Sequence, residues 1–172
     1  MNDNKKKKNK RPVMTLPLTN LEKVLELLSG MGVLFNLVLV IIAWGTVPDR
    51  IPTHFDPSGL PDSWGGKESL ILLPMAVIFL YSLLTVVSRF PHTFNYPWKI
   101  TEENAKAQYL NARYLLVFLK TEIIGFFTYI QWVTIQVALG KAQGLGLIFL
   151  PIFLIIIFGT VVVYFFKARQ NK

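Results

Sequence analysis

Four long apolar blocks constrain this chain more than any other feature of its sequence. They lie at about residues 31–47, 70–88, 114–139 and 146–166, with short polar or proline-rich stretches between them. An α-helix rises about 1.5 Å per residue and a bilayer core is roughly 30 Å thick, so blocks of this length suit membrane spans. Hydrophobic residues make up 52% of the 172 residues, too many for an ordinary soluble domain. We therefore predict an all-α, integral membrane four-helix bundle.

The distribution of basic residues predicts the orientation of these spans. Fourteen of the 18 Lys and Arg residues fall in segments 1–30, 89–113 and 167–172, and three fall in the two connections on the other side. Loops on the cytoplasmic side of a membrane carry the excess of Lys and Arg. The sequence therefore predicts that both termini are cytoplasmic, that 89–113 is a cytoplasmic segment with 167–172 as a cytoplasmic tail, and that 48–69 is an extracytoplasmic loop.

The N-terminal region has two predicted parts. Residues 1–18 form a basic tail that we expect to be disordered and attracted to anionic lipids. Residues 19–30 form an amphipathic segment at the interface, in which Thr19 or Asn20 is the helix N-cap. No folded nucleic-acid reader accompanies the basic tail, so nucleic acid is not an expected partner.

The loop between the first two spans is rich in proline and carries the candidate site. Its four prolines exclude a helix or a central strand, and Asp56 to Gly59 has the composition of a type I turn. We therefore expect a stiff, structured loop that recognises a ligand. The candidate ligand-binding residues are His54, Asp56, Asp62, Trp64 and Lys67.

A metal site in this loop is a weaker alternative. One imidazole and two carboxylates, from His54, Asp56 and Asp62, could bind a metal ion, whereas in the structural interpretation they cap turns. The chain has no cysteine, which excludes thiolate ligands and disulfides. The second histidine, His92, lies across the membrane from His54 in the predicted topology and cannot share a site with it. No cofactor is expected.

The third span contains charged side chains. Lys120 and Glu122 are two positions apart on a helix, so they point in different directions. We expect Lys120 to reach outward to the interface and Glu122 to face the bundle, either protonated or paired with a basic residue. The candidate partners of Glu122 are Arg89, Lys167 and Arg169. Tyr129 and Gln136 share the helix face of Glu122.

One motif in the loop resembles a known family. The pattern P-x-x-I-P-x-H-F-D-x-x-G-x-P-D-x-W-G-G-K, from Pro48 to Lys67, is similar to the signature of the DUF1648 family of bacterial membrane proteins. That family is related to the amino-terminal part of SdpI-like immunity proteins. The resemblance covers residues 31–88, a hairpin of spans 31–47 and 70–88 with loop 48–69 between them. It implies a multi-pass protein of the bacterial cytoplasmic membrane and leaves the molecular activity open.

Three hypotheses for function follow. The first is a non-enzymatic protein whose loop recognises a peptide or envelope ligand, in immunity or sensing. The second is a small transporter or channel subunit that uses Glu122 and the polar face of the third span, and that forms a homo-oligomer. The third, ranked last, is a membrane enzyme that uses the loop carboxylates and His54. The cytoplasmic segment could also dock a cytoplasmic regulator.

Overall fold

The structure is a computed structural model that describes residues 11–172. Its elements in chain order are α1 (Asn20–Ala43), β1 (Arg50–Phe55), β2 (Pro61–Gly66), a 3₁₀ turn (Lys67–Ile71), α2 (Leu72–Val87), a 3₁₀ turn (Pro91–Thr93), α3 (Ala105–Ala138) and α4 (Phe149–Gln170). The protein is therefore mostly helical with a small two-stranded sheet. This corrects the all-α prediction.

Four helical segments are long and apolar enough to cross a membrane. They are α1, the continuous Lys67–Val87 segment that contains α2, α3, and α4, with 24, 21, 34 and 22 residues. They coincide with the four apolar blocks of the sequence, although their ends differ by several residues. The two strands lie between α1 and α2. We call that end of the molecule the hairpin end and the opposite end, where α1 begins and α4 finishes, the terminal end.

The long helix α3 is the centre of the helical packing. It contacts α1, α2 and α4, whereas α4 packs chiefly on α3 in the described part of the chain. Small and hydroxyl side chains bring α1 and α3 together: a Cβ atom at Gly32 would lie 2.7 Å from Cγ2 of Ile124, and the hydroxyls of Ser29 and Thr121 lie 2.9 Å apart. The predicted four-helix bundle is thus a three-helix bundle with α4 added on one side, which leaves a groove between α1 and α4.

The predicted interfacial segment 19–30 is continuous with the first span. Thr19 caps α1 as predicted: its hydroxyl accepts from the Glu22 amide at 3.2 Å, and the Glu22 carboxylate accepts from the Thr19 amide at 2.8 Å. No proline interrupts the chain between Asn20 and Ala43, so nothing ends the helix at residue 30. One helix therefore replaces the two predicted segments.

The last part of the predicted disordered tail is ordered. Residues 11–18 lie along α3, where the Tyr109 hydroxyl donates to the Pro12 carbonyl at 2.9 Å and Arg113 donates to the Leu16 carbonyl at 2.7 Å. These backbone carbonyls are satisfied by side chains instead of by a helix or strand. Residues 1–10, which carry most of the predicted lipid-binding charge, lie outside the described residues.

At the terminal end the connection between α2 and α3 folds back on the helices. Phe94, Tyr96 and Trp98 pack against a buried cluster of α3 and α4 that includes Ala112 and Tyr164. The predicted cytoplasmic segment is therefore part of the packed structure. The helix α4 continues to Gln170, so most of the predicted tail 167–172 is helical.

Candidate ligand site at the hairpin end

The two strands form an antiparallel hairpin. The pairing runs from Arg50 opposite Gly66 to Phe55 opposite Pro61, with irregular register on both sides of His54. A two-stranded sheet contains only edge strands, which tolerate proline, so Pro52 and Pro61 fit without loss of an inner ladder hydrogen bond. The sequence prediction excluded a central strand and did not foresee the hairpin.

A buried apolar cluster attaches the base of the hairpin to the helices. Ile51 is 1% exposed and packs with Val47, Leu70, Ala43 of α1 and Ile135 of α3. Lys67 closes the base, since its amide donates to the Asp49 carbonyl at 3.0 Å and its ammonium lies 3.0 Å from the Asp49 carboxylate. Lys67, predicted to bind ligand, is thus placed to hold the two ends of the hairpin together.

The tip of the hairpin is the predicted turn. The Gly59 amide donates to the Asp56 carbonyl at 2.9 Å, and Gly59 has a φ of +82°, which glycine adopts without strain. The Asp56 carboxylate accepts from the Ser58 hydroxyl at 2.6 Å and from the amides of Ser58 and Leu60 at 2.8 and 3.0 Å. Asp56 is therefore occupied in capping its own turn, as in the structural interpretation of the sequence.

These hydrogen bonds predict how the turn responds to acid. The Ser58 hydroxyl, followed by the Leu60 amide, lowers the pKa of Asp56 below its ordinary value of 3.8. A lowered carboxyl pKa stabilises the folded turn above the ordinary value, and this stabilisation is lost as the pH falls through the lower folded pKa. Amide NMR of Leu60 between pH 6 and pH 2 should show this transition below 3.8. The Asp56→Asn variant should show no transition there, and a midpoint at or above the ordinary value would contradict the assignment.

The turn is docked on the connection between α3 and α4. The Leu145 amide donates to the Gly59 carbonyl at 2.7 Å, and Gly144 is so close that a Cβ atom there would lie 2.0 Å from the same oxygen. The Gly144-Leu145-Gly146 stretch thus allows two backbones to approach each other directly. We did not identify this contact from the sequence, although two glycines flanking one leucine were a visible signal.

Only two of the predicted site residues form a pair. Nδ1 of His54 lies 2.6 Å from Oδ1 of Asp62, and both side chains are exposed. Trp64 is 44% exposed on the same hairpin. Within residues 11–172, no group of three or more His, Cys, Asp or Glu side chains is placed to hold a metal ion. The weaker metal hypothesis for His54, Asp56 and Asp62 therefore gains no support from the geometry. His92 follows α2 at the terminal end, far from His54.

The hairpin covers a cavity of about 370 Å³. His54, Phe55 and Gly59 line it from the hairpin, and Ile130 of α3 and Phe149 of α4 line it from below. This volume lies in the range of about 300–1,000 Å³ that small-molecule sites occupy. The cavity has an apolar floor and a polar rim, so it suits an apolar group carried by a larger or polar ligand.

The charged side chains within the long helices are arranged differently from the prediction. Lys120 is 1% exposed, so its side chain is enclosed by the helices instead of extending outward. Its ammonium donates to the carboxylate of Glu26 and to the Thr85 hydroxyl at 2.8 Å, and it lies 4.8 Å from the centre of the Tyr81 ring. This corrects the prediction, because the partly exposed carboxylate of Glu26 on α1 supplies the partner that the interface was expected to supply.

Glu122 faces the other side of α3, as its spacing from Lys120 predicts. The Thr160 hydroxyl of α4 donates to Oε1 of Glu122 at 2.6 Å. None of the predicted basic partners Arg89, Lys167 and Arg169 forms a salt bridge with Glu122 in the described residues.

A second buried ion pair was missed. Glu22 is fully buried and lies 2.7 Å from Nη2 of Arg113, near the start of α3. A signal for both pairs was present in the sequence: Glu22 and Glu26 are four residues apart on one helix face, and Arg113 and Lys120 are seven apart on another. This spacing was not interpreted as ion pairing, because residues 19–30 were predicted to form an interfacial helix, and an interfacial helix keeps its charged side chains in water.

Comparison with known proteins concerns the part of the chain that carries the hairpin. Residues 31–90 match the model of a domain of unknown function, DUF1648. The predicted family resemblance is confirmed over this stretch. The DUF1648 region comprises most of α1, the whole hairpin and α2, so the candidate site lies at its centre. The relation to SdpI-like proteins stays a prediction.

One curated relative and the solved structures add little about activity. A protein described as uncharacterized from Archaeoglobus fulgidus is 30% identical over 89 residues, which cover 47% of this chain. The match spans about half of that relative, 49% of its length. No solved structure matches this chain.

Proposed function

We propose that this chain is a non-enzymatic membrane protein that recognises a peptide or envelope ligand at its hairpin end, in immunity or sensing. The observation that carries the proposal is the docked hairpin. The DUF1648 loop is attached to the helices at its base by Ile51 and at its tip by the contact of Gly59 with Leu145. It roofs a cavity of about 370 Å³ instead of extending freely into solvent.

A rigid hairpin favours binding over a purely connecting role. A preorganised surface loses less conformational entropy when a ligand binds, which raises affinity for the same contacts. Three side chains are available on this surface, since His54 and Asp62 are 68% and 46% exposed and Trp64 is 44% exposed. Tryptophan is enriched among residues that contribute most to binding. Asp56 and Lys67 support the site by holding the turn and the base.

The orientation of the molecule is part of this proposal. Fourteen Lys and Arg residues fall in sequence segments 1–30, 89–113 and 167–172, whose described parts lie at the terminal end, and three fall in the segments at the hairpin end. The positive-inside rule therefore supports an extracytoplasmic hairpin end. Ligands arriving from outside the cell, such as toxin-like peptides or envelope fragments, would meet the hairpin first.

A thermal-shift experiment tests the proposal. The purified chain in lipid nanodiscs is heated with a panel of antibacterial peptides and cell-wall fragments. A ligand at about 100 times its Kd should stabilise the protein by about 2.7 kcal/mol. The triple variant His54→Ala, Asp62→Ala, Trp64→Ala should lose at least nine-tenths of that stabilisation. Asp56 and Lys67 are left unchanged because they maintain the hairpin.

The control variant carries Glu68→Gln and Lys141→Gln, two exposed residues at the same end. It should respond to the ligand as the unmodified chain does. A triple variant that keeps the full shift would show that this face of the hairpin is not the binding site.

A small transporter or channel subunit is the second candidate. It is favoured by one observation, the carboxylate of Glu122 in the groove between α1 and α4, beside the polar side chain of Tyr129. Since α4 packs chiefly on α3, an enclosed pathway would require a homo-oligomer. Transport would also require that Glu122 bind an ion or substrate.

A further inference from the structure

Glu122 differs from the two carboxylates of α1 that form ion pairs. Glu22 pairs with Arg113 and Glu26 with Lys120 across the contact between α1 and α3. Glu122 receives only the hydrogen bond from Thr160, and its Oε2 is enclosed without a hydrogen-bonding partner among residues 11–172. A carboxylate in an apolar environment is stable only when a proton or a cation neutralises it. Among residues 11–172, no basic side chain forms a salt bridge with Glu122 to supply that cation.

The space beside Glu122 is a cavity of about 580 Å³ in the groove between α1 and α4. Of the residues that the structure describes, Glu122 is the single charged one in the lining of this cavity. Most of the remaining surface is apolar or aromatic, with rings contributed by Phe118, Phe126, Tyr129 and Phe149. Aromatic faces attract organic cations, most strongly where water is excluded. The cavity thus combines the carboxylate of Glu122 with an apolar surface, an arrangement that favours a hydrophobic cation.

We propose that this groove binds an amphiphilic organic cation, whose positive group neutralises Glu122 and whose apolar part lies against the aromatic wall. Charge complementarity selects a cation, because no Lys or Arg of the described chain lines the cavity. The volume selects a small molecule, since a helix with its side chains is about 10–12 Å in diameter and would not enter. When the carboxyl is protonated, a monovalent cation displaces its proton, and one proton leaves for each cation bound.

Tetraphenylphosphonium is a suitable probe. Titration calorimetry of the purified full chain in a neutral detergent should show saturable binding of one cation per chain. Affinity should fall as the pH is lowered, approaching tenfold per pH unit where the carboxyl is protonated. In weakly buffered solution at such a pH, binding should release close to one proton. Absence of saturable binding would overturn the proposal.

Two variants distinguish the contribution of the Glu122 charge to binding from the contribution of the cavity volume. Glu122→Gln keeps the shape and can still accept from Thr160, and it should weaken binding at least tenfold and abolish proton release. Gly125→Leu should weaken binding similarly, because a Cβ atom at Gly125 meets nothing within 4 Å and the new side chain would fill the cavity. Equal elution volumes in size-exclusion chromatography establish that each variant is folded.

The matched controls are a remote carboxylate and a neutral analogue. Glu102→Gln removes an exposed acid outside the groove and should leave affinity and proton release unchanged. Triphenylphosphine oxide, which carries no charge, should bind with an affinity that does not depend on Glu122. An unchanged tetraphenylphosphonium affinity in Glu122→Gln would show that the carboxylate does not recognise the cation.

Discussion

Replacing Arg113 by methionine should lower the free energy of unfolding by about 3–5 kcal/mol, the usual cost of leaving a buried charge without its partner. Glu22 is fully buried, and it loses both the hydrogen bond from Nε of Arg113 at 2.8 Å and the ion pair at 2.7 Å. The carbonyls of Leu16 and Pro17 lose their donor in the same substitution. The start of α1 and the segment before it should therefore detach from α3.

The double variant Glu22→Gln, Arg113→Met distinguishes charge from packing. Glutamine keeps a side chain that can cap the Thr19 amide while it removes the negative charge. The double variant should be more stable than Arg113→Met alone, since no uncompensated charge remains. Unfolding in mixed micelles with increasing dodecyl sulfate, followed by tryptophan fluorescence, measures these differences. A double variant no more stable than Arg113→Met alone would show that the uncompensated charge of Glu22 is not the source of the loss.

Replacing Gly59 by alanine should release the hairpin tip from the helices at a cost of about 2–3 kcal/mol, of which a left-handed backbone accounts for about 1–2 kcal/mol. The rest of this destabilisation comes from a steric clash, because the new Cβ atom would lie 2.7 Å from the Gly146 carbonyl oxygen. The hydrogen bond from the Leu145 amide to the Gly59 carbonyl would lengthen or break. The cavity beneath the hairpin would then lose the part of its lining that the hairpin tip supplies.

Gly140→Ala is the matched control. Gly140 has a φ of +69°, close to the +82° of Gly59, but a Cβ atom there meets nothing within 4 Å. It should therefore show only the backbone cost, about 1–2 kcal/mol. Hydrogen exchange at the Leu145 amide reports the docking directly and should accelerate at least tenfold in Gly59→Ala alone. Equal acceleration in both variants would mean that the glycine contact does not hold the hairpin in place.

The local features of the molecule could be predicted from the sequence. The four apolar blocks predicted the four long helices, because length and hydropathy alone decide whether a helix suits a bilayer. The cap at Thr19 and the turn from Asp56 to Gly59 were also predicted, since each depends on side chains within four residues. The opposite directions of Lys120 and Glu122 on α3 followed from helical geometry.

The features that join distant segments could not be predicted in the same way. The partner of Lys120 is Glu26, which lies 94 residues away and was assigned to an interfacial segment. The partner of Arg113 is Glu22, at a separation of 91 residues. Each residue alone is compatible with the membrane interface. Only the packing of α1 on α3, which depends on Gly32 and its neighbours, places these charges opposite each other.

The sequence by itself determined the number of helices, the turn that ends β1, and which side chains carry charge within the apolar blocks. Only the tertiary structure decided that the hairpin is docked, that Lys120 is neutralised by Glu26, and that Glu122 faces a cavity without a cationic partner among residues 11–172. The physical reason is the range of the forces involved. Helix formation and turn geometry are settled within a few residues, whereas a buried charge is stabilised by whatever the fold brings within about 3 Å of it.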